Sequence, residues 1–339
     1  MLVRDFDYQL PTHLIAQKPI ANREDSRLLI LDRKTGVIEH QQFKNISKYL
    51  QKDDVLVLND TKVIPARLIG RKKTGAIIEI LMIREEETDQ WQCLIKPFRR
   101  LAEGDNIVFS KKLSALCIEK QTEGLALIKF SYQGSFYEIL EELGNLPLPP
   151  YIKKKLAQNE RYQTIYAKNR GSIAAPTAGL HFSEEILLNI KKKGVKIVYL
   201  TLHVGIGTFR PIVVENIKDH NMHAEFFSLN KENASILNKA IENKKRIIAV
   251  GTTVVRTLES IYDRHNKFIA SSDYTNLFIY PGYEFKAISA LVTNFHLPKS
   301  TLLLLVSAFA SSEYIFKAYE EAIKNEYRFF SFGDAMLIK

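Results

Sequence analysis

Six short runs rich in β-branched and aromatic residues follow one another in the first half of the chain, and they limit the possible folds more than any other feature. Turn residues separate the runs at short intervals, and no long helical period fits the segment. About six closely spaced strands predict a small antiparallel barrel or sandwich. The runs cover residues 63–69, 77–83, 91–95, 107–109, 113–118 and 125–132.

A domain boundary follows these runs. Residues 136–143 predict one helix that ends at Gly144. Residues 146–150 then read Leu-Pro-Leu-Pro-Pro, which cannot continue a helix and offers few backbone donors to a sheet. A chain of 339 residues with 46% hydrophobic residues is also longer than one core usually organises, so two domains are expected.

The second half of the chain alternates strands with helices. Residues 183–194 predict a helix because Ser183 can cap its start, acidic residues follow at its positive end, and a glycine ends it. A β-branched run over 195–202 comes next, and the same strand and helix pattern recurs over 247–261. This alternation predicts a layered α/β domain.

The run at residues 55–58 predicts a further buried strand, just before the β-rich segment. It could join the same sheet as the later strands, and the β-rich module would then be an insertion. We therefore expect an α/β main domain with an inserted antiparallel β-barrel domain. The main domain would be discontinuous, over residues 1–61 and 151–339, and the barrel would cover residues 62–150.

The charge of the chain allows a polyanionic partner. Lys and Arg exceed Asp and Glu by ten, so the surface attracts polyanions at neutral pH and nucleic acid becomes a plausible partner. The lysines are scattered along the chain, however, so a Lys-rich composition explains the charge equally well.

Neither a membrane span nor export is predicted. The longest apolar run, residues 302–310, is under half of the roughly 20 residues that a bilayer requires. The first eight residues carry three charges where a secretory signal would need an apolar stretch. Cys93 and Cys117 are too few for a disulfide framework, so a cytoplasmic location is expected.

Histidines concentrate in polar segments between Pro176 and Pro298. Histidine suits proton transfer because its ordinary pKa lies near operating pH. Any one of these histidines, taken alone, is more often a hydrogen-bonded structural residue, but their clustering favours a functional role for the set. Five of the eight histidines of the chain belong to this group, namely His181, His203, His220, His223 and His296.

Metal binding is the rival explanation of this histidine cluster. His220, His223 and Glu225 offer ligands at close spacing, and His203 could supply a fourth. The sequence has no HExxH or comparable zinc signature, so the metal explanation stays secondary.

Three polar segments stand where strands end or helices begin. Residues 174–182 contain small residues that let a backbone and a ligand approach closely. Residues 251–253 join a strand to a helix, where backbone N–H groups favour an anion, with Arg256 one turn inward. Residues 292–301 place polar side chains that are costly to bury before an apolar helix. An ordinary loop or helix cap could also explain the first two.

Two further segments could contact a ligand. Residues 202–211 follow a predicted strand and contain two glycines, but the third glycine of a dinucleotide loop is absent, Arg210 stands in its place and no helix opens there. A Rossmann fold is therefore not predicted, although a ligand-contacting loop is. Asp60 and Arg67 also follow a strand, and they could form an ion pair in the same cleft or a simple surface pair.

Taken together, these segments resemble the S-adenosylmethionine:tRNA ribosyltransferase-isomerases of queuosine biosynthesis, and the resemblance covers nearly the whole chain. Two departures are mild: Ile206 stands where the family often has alanine, and residues 152–160 are more basic than the usual acidic version. The segments that carry the resemblance are residues 5–8, 59–68, 146–152, 161–164, 174–182, 201–209, 219–225, 251–260, 278–282 and 291–298.

The resemblance implies an α/β main domain with an inserted β-barrel, and a reaction on 7-aminomethyl-7-deazaguanine at the wobble position of tRNA. The ribosyl unit of S-adenosylmethionine, a co-substrate rather than a cofactor, would be rearranged into an epoxycyclopentanediol. Adenine and methionine would leave, and epoxyqueuosine-tRNA would be the product. The resemblance implies no metal, no membrane and no obligatory protein partner.

This chemistry needs a neutral amine, removal of a proton beside the sulfonium, and protonation of the departing adenine. We expect the histidines to include the acid–base groups, with Glu225 as an orienting carboxylate, and we expect Thr252, Thr253 and Arg256 to receive the methionine carboxylate or a tRNA phosphate. The expected catalytic histidines are His181, His203, His223 and His296. The other expected substrate-binding residues are Asp60, Arg67, Thr177, Gly179, Gly205, Gly207, Thr208 and Asn294.

Two other functions are compatible with parts of the sequence. A metal-dependent hydrolase would use the histidine cluster, and stoichiometric zinc or iron with activity lost to a chelator would favour it. A non-catalytic RNA-binding protein would use the β-barrel and the positive charge. Such a module would not need so many polar segments clustered after strands.

Overall fold

The computed structural model describes residues 1–154, 156–205 and 212–339, and it divides the chain into two compact units. The first unit combines Met1–Thr61, Pro150–Asn169 and Ala175–Lys339. The second combines Lys62–Pro149 with Arg170–Ala174. The chain thus returns briefly to the second unit after leaving it, which the sequence analysis did not anticipate.

Strands and helices occupy the following ranges. The strands are β1 Arg27–Leu31, β2 Ile38–Gln42, β3 Val55–Asn59, β4 Thr61–Val63, β5 Arg67–Lys72, β6 Ile77–Glu87, β7 Gln90–Lys96, β8 Asn106–Ser110, β9 Leu113–Lys120, β10 Leu125–Tyr132, β11 Asn169–Ser172, β12 Lys196–Leu202, β13 Glu225–Leu229, β14 Ile247–Val250, β15 Ser271–Thr275, β16 Ala290–Asn294 and β17 Ala335–Ile338. The helices are α1 Phe136–Leu143, α2 Glu184–Lys192, α3 Lys231–Glu242, α4 Thr252–His265, α5 Thr301–Ala310 and α6 Ser312–Lys324.

The second unit is a closed antiparallel barrel, as the spacing of the six runs predicts. Its strands follow the order β10-β7-β6-β5-β8-β9, and β9 pairs back onto β10. The first predicted run is divided, because Pro65 lacks the N–H that a ladder requires. The residues before Pro65 form β4, which pairs with β11, and the barrel strand β5 begins at Arg67. Helix α1 follows the barrel and packs the ring of Phe136 against Phe130 and Tyr132.

The first unit is built on a large mixed sheet in the order β15-β13-β12-β3-β14-β16-β17-β1-β2. The adjacent strands β12, β3, β14 and β16 run parallel to one another, whereas β12 pairs antiparallel with β13 and β16 pairs antiparallel with β17. Strand β3 is buried along its whole length. Val57 of β3 pairs with Val198 on one side and Ala249 on the other. The prediction that the early strand shares a sheet with the later ones is confirmed, and so is the predicted fold class.

Helix starts and ends follow the local sequence signals. The side chain of Ser183 accepts a hydrogen bond from the N–H of Ile186 at the start of α2, and Ser300 caps α5 through Leu303 in the same way. Gly251, which precedes α4, has a φ of 93°, a value that residues with a Cβ rarely adopt. These caps fix where the helices begin, at the edge of the sheet where the parallel strands end.

In the part of the chain that the structure describes, no single helix is both long and apolar enough to cross a membrane. Helices α5 and α6 reach the required length only as a pair, and a bend of 113° separates them. Helix α5 is buried around most of its circumference.

Candidate active site

A pocket opens at the carboxyl ends of β14 and β16 in the first unit. All four polar segments that follow strands or precede helices in the second half of the chain contribute to it. Parallel strands end at the same edge of a sheet, so residues far apart in sequence meet there. The described residues that line the pocket are Tyr151, Ala175, Pro176, Thr177, Ala178, Val204, Gly251, Thr252, Thr253, Thr293, Asn294, Phe295, His296, Leu297, Ser300, Leu302, Phe330 and Ser331.

This lining carries no Asp, Glu, Lys or Arg among the residues that the structure describes. Its polar groups are hydroxyls, one amide, one imidazole and backbone groups. At its base, α4 begins with Thr252, and the first N–H groups of a helix have no partner within the helix. The pocket therefore suits a largely uncharged ligand that carries one negative group at the start of α4.

Asn294 connects the pocket wall to the interior. Its Oδ1 accepts a hydrogen bond from Thr177 at 2.9 Å, and its Nδ2 donates to the carbonyl of Phe330 at 3.3 Å. The same Nδ2 lies 3.2 Å from Nε2 of His181. Since Oδ1 and Nδ2 are distinguished here by their partners, the amide must donate to the imidazole.

The protonation state of His181 follows from this contact. Because Nε2 accepts from Asn294, the proton lies on Nδ1, which is 2.7 Å from the hydroxyl of Ser26. That hydroxyl donates in turn to the carbonyl of Arg23 at 3.1 Å. Burial, together with the charges of Arg23 and Arg328, lowers the pKa of His181 to about 3. His181 is thus a neutral imidazole that lies behind the pocket wall and reaches the pocket through Asn294.

His296 is the histidine that lines the pocket itself. Its Nε2 lies 2.8 Å from the hydroxyl of Thr293, and its backbone N–H donates to the hydroxyl oxygen of Tyr319 at 2.9 Å. The hydroxyl of Tyr8 donates to its carbonyl. Burial lowers the pKa of His296 to about 3, so the ring is neutral at pH 7. A neutral imidazole in the pocket can accept a proton and does not repel a cationic ligand.

His203 lies at the end of β12, beside but outside the described lining of the pocket. Its Nδ1 is 2.7 Å from the hydroxyl of Thr61, and its ring stacks on Phe226. Burial lowers the pKa of His203 to about 4. Its neighbour Val204 lines the pocket, which brings this segment to the site as predicted from the sequence.

Arg256 and Glu225 form a buried ion pair. Arg256 also donates to the carbonyls of Leu277 and Thr275, at 3.0 and 3.2 Å. Glu225 accepts the N–H of Gly205 at 2.8 Å. The guanidinium of Arg256 is held by these internal partners and is not among the described residues that line the pocket, so the expectation that it receives an anionic ligand stays a prediction.

Asp60 and Arg67 each have a partner within their own compact unit. The carboxylate of Asp60 accepts hydrogen bonds from Thr201 at 2.6 Å and from Asn169 at 3.0 Å. Arg67 lies 4.0 Å from Glu79 on the neighbouring barrel strand, and it belongs to the barrel unit. The expected ion pair between Asp60 and Arg67 stays a prediction.

The remaining predicted residues lie away from the pocket or outside the described chain. His223 is exposed, and His220 packs edge-on against Phe278. Gly179 is required for packing, since a Cβ there would meet the hydroxyl of Tyr166 at 2.1 Å. Gly207 and Thr208 lie outside the described residues, as does the departure at Ile206.

The metal alternative depends on His203, His220, His223 and Glu225 coming together. Within residues 1–154, 156–205 and 212–339, no group of three or more His, Cys, Asp or Glu side chains is arranged to hold a metal ion. Glu225 directs its carboxylate to Arg256 and Gly205. The four candidate ligands therefore do not form the cluster on which that alternative rests.

Three lining residues were not singled out from the sequence. The hydroxyl oxygens of Tyr151 and Ser331 lie 2.6 Å apart, and the rings of Phe330 and Tyr151 pack against each other at an angle of 54°. Burial raises the pKa of Tyr151 to about 12. Tyr151 belongs to a segment that carries the family resemblance, but Phe330 and Ser331 lie 180 residues further on, in a turn without any charge or periodic signal.

The neutral histidines predict a pH-dependent stability. Both folded and unfolded chains are neutral at these residues above pH 6.5, the ordinary pKa of histidine. As the pH falls below 6.5, the unfolded chain takes up protons that buried His181 and His296 resist, so the folded state loses about 1 kcal/mol per pH unit for each residue. Urea unfolding of a His181→Gln variant between pH 6.5 and 5 should show a shallower slope. The exposed His265→Gln change should leave the slope unaltered.

Two comparisons with known proteins each match nearly the whole chain. A family model described as queuosine biosynthesis protein matches residues 3–338. The chain is also similar to a solved structure, the crystal structure of an S-adenosylmethionine tRNA ribosyltransferase from Thermotoga maritima. The two sequences are 43% identical, the match covers 99% of this chain and 100% of the other, and the TM-score is 0.58.

Proposed function

Because the chain belongs to the queuosine biosynthesis protein family, we propose that it transfers and isomerises the ribosyl part of S-adenosylmethionine onto tRNA. The acceptor is the amine of 7-aminomethyl-7-deazaguanine at the wobble position. The ribosyl carbons become an epoxycyclopentanediol on that amine, and adenine and methionine are released. The product is epoxyqueuosine-tRNA, and S-adenosylmethionine is consumed as a co-substrate.

The observation that carries this proposal is the meeting of four distant polar segments in one uncharged pocket. Thr252 and Thr253 stand at the start of α4, where the free N–H groups suit the carboxylate of the methionyl part. Hydroxyl and amide groups on the opposite wall suit the ribose and the adenine.

The neutral imidazole of His296 fits the charge of the co-substrate. A protonated histidine in the lining would repel the sulfonium, whereas the lowered pKa of His296 keeps it neutral. In the proposed reaction His296 accepts or relays a proton, and Asn294, held by His181, orients the bound ribosyl unit. His203 and Glu225 hold the segment around Val204 and Gly205 in position. The expected roles of His223, Gly207 and Thr208 stay predictions.

The proposal is tested by incubating the protein with S-adenosylmethionine and tRNA that bears the deazaguanine precursor. We expect adenine and methionine in equal amounts, and a nucleoside whose mass has increased by the ribosyl-derived unit. The control is the same tRNA with guanine at the wobble position, which lacks the amine and should give no adenine. Release of adenine without a change in the tRNA, or activity lost to a chelator, would instead favour a hydrolase.

The positive charge of the chain predicts salt-sensitive binding of the tRNA. Lys and Arg side chains that contact phosphates release counterions, so affinity falls as salt rises. With two or more such contacts, the affinity should fall about tenfold or more between 50 and 200 mM salt. Fluorescence anisotropy with labelled tRNA measures this directly. An affinity that does not change with salt would contradict the proposal that the basic surface binds the tRNA.

A cytoplasmic location also stays a proposal. Cys93 and Cys117 are both unpaired and buried in the barrel, which fits a reducing compartment. The proposed substrate of the protein, tRNA, is found in the same compartment as the translation machinery.

A further inference from the structure

A second, smaller pocket adjoins the first one and is lined by two arginines. Arg23 and Arg161 face it, together with His181 and Ser331. Ser331 lines both pockets, and His181 holds Asn294 in the wall of the first. All of these residues belong to the same compact unit. The arginine pocket therefore shares a lining residue with the candidate active site and is linked to it by the contact between His181 and Asn294.

Both guanidinium groups are held by backbone carbonyls. Arg23 donates to the carbonyls of Leu180 and Gln163, at 3.0 and 2.9 Å, and less closely to that of Glu160. Arg161 donates to two carbonyls of the segment that precedes Arg23, those of Ile20 at 2.6 Å and Ala21 at 2.8 Å. These bonds fix the orientation of both groups before any ligand arrives.

Neither arginine forms an ion pair with a carboxylate in the described parts of the chain. Glu24, which follows Arg23 in sequence, accepts a hydrogen bond from the hydroxyl of Ser183 instead. Glu160, which precedes Arg161, contributes its backbone carbonyl to Arg23, and its side chain is exposed. The Nε atom of Arg161 is buried and has no hydrogen-bond partner. Burial lowers the pKa of Arg23, and the charge of Arg161 lowers it further. Two like charges that are held close together without a carboxylate partner destabilise the protein when no ligand is bound. They therefore favour the binding of an anion between them.

The surroundings indicate which kind of anion this pocket takes. Arg328 lies close enough to influence His181, and it donates to the carbonyl of Lys18, whose side chain is exposed. The exposed Lys153 and Lys154 follow Tyr151, and the N–H of Lys153 donates to Gln17, next to Lys18. Positive charge thus continues beyond the pocket along the surface. A polyanion matches this extended charge better than a single small carboxylate does.

We propose that Arg23 and Arg161 form a binding site for a backbone phosphate of the tRNA substrate. This inference rests on the proposed function, because it assigns a contact for the tRNA next to the pocket in which the ribosyl unit would react. A phosphate held by two preoriented guanidinium groups fixes the position of the neighbouring nucleotide. The exposed Lys153 and Lys154 add positive charge to the same compact unit.

The test measures equilibrium binding of precursor-bearing tRNA, without S-adenosylmethionine, over a range of salt concentrations. Relative to the unaltered protein, Arg161→Gln should weaken binding and reduce the slope of log affinity against log salt by about one. Arg161→Lys keeps the positive charge, so its slope of log affinity against log salt should stay close to that of the unaltered protein. Arg264→Gln is the matched control, because it removes an exposed arginine that pairs with Asp273 at the far end of α4.

Other outcomes would overturn the inference. An unchanged slope in Arg161→Gln would show that no phosphate is bound there. If that variant instead raised the KM for S-adenosylmethionine and left tRNA binding intact, the anion would be the methionyl carboxylate. If Arg161→Gln fails to fold, Arg23→Gln and Arg161→Lys provide the same comparison. An unaltered protein that makes no product contradicts the proposed function, whereas product formation with an unchanged slope contradicts only the phosphate site.

Discussion

Replacing Arg256 by Met should lower the free energy of unfolding by about 3–5 kcal/mol, the usual cost of removing one partner of a buried ion pair. Glu225, whose side chain is only 2% exposed, would lose its charged partner. Because Glu225 also accepts the N–H of Gly205, beside Val204 in the pocket wall, the substitution should weaken S-adenosylmethionine binding as well. Urea unfolding at pH 7 measures the first effect.

Two comparisons isolate the role of burial in that prediction. Arg264→Met breaks an exposed pair with Asp273 and should cost less than about 1 kcal/mol. Adding Glu225→Gln to the Arg256→Met variant removes the second charge of the pair and should restore part of the lost stability. Equal losses for the buried and exposed pairs would contradict the interpretation of Arg256 as a structural partner.

Replacing His296 by Gln should slow adenine release by about 10²- to 10⁴-fold under single-turnover conditions, the usual contribution of a general acid or base. The ring lines the pocket, is neutral and is held through Thr293 and Tyr319. Glutamine retains a polar side chain of similar reach but cannot take up a proton, so binding of S-adenosylmethionine should change less than the rate. Rapid-quench measurement of free adenine follows the step directly.

His265→Gln provides the matched control for this variant. His265 is exposed at the end of α4, and a rise of 1.5 Å per residue places it roughly 20 Å along the helix from Thr252. The His265→Gln variant should release adenine at the rate of the unaltered protein. If His296→Gln did the same while remaining folded, proton transfer by His296 would be excluded.

The sequence predicted the fold because its main signals are local. Alternation and turn residues identified the barrel strands, and Ser183 and Ser300 identified helix starts that the structure retains. Polar residues at strand ends could be expected to meet, since parallel strands of one sheet share an edge. Thr177, Asn294 and His296 do line one pocket.

The partners of these residues could not be predicted in the same way. His181 depends on Ser26, 155 residues earlier, and Tyr151 meets Ser331, 180 residues later. Arg256 carries a local signal for anion binding, yet a carboxylate 31 residues away on β13 neutralises it. Such pairings arise from the order of strands in the sheet, which a single sequence does not encode in any short segment.

The central claim is that the ribosyl part of S-adenosylmethionine, and no other part, is transferred to tRNA. Two preparations of S-adenosylmethionine, one labelled in the ribose and one in the methyl group, test it with precursor-bearing tRNA. The account predicts that the ribose label enters the tRNA in step with adenine release, while the methyl label leaves entirely as methionine. Methyl label in the tRNA, or ribose label that stays in solution, would contradict it.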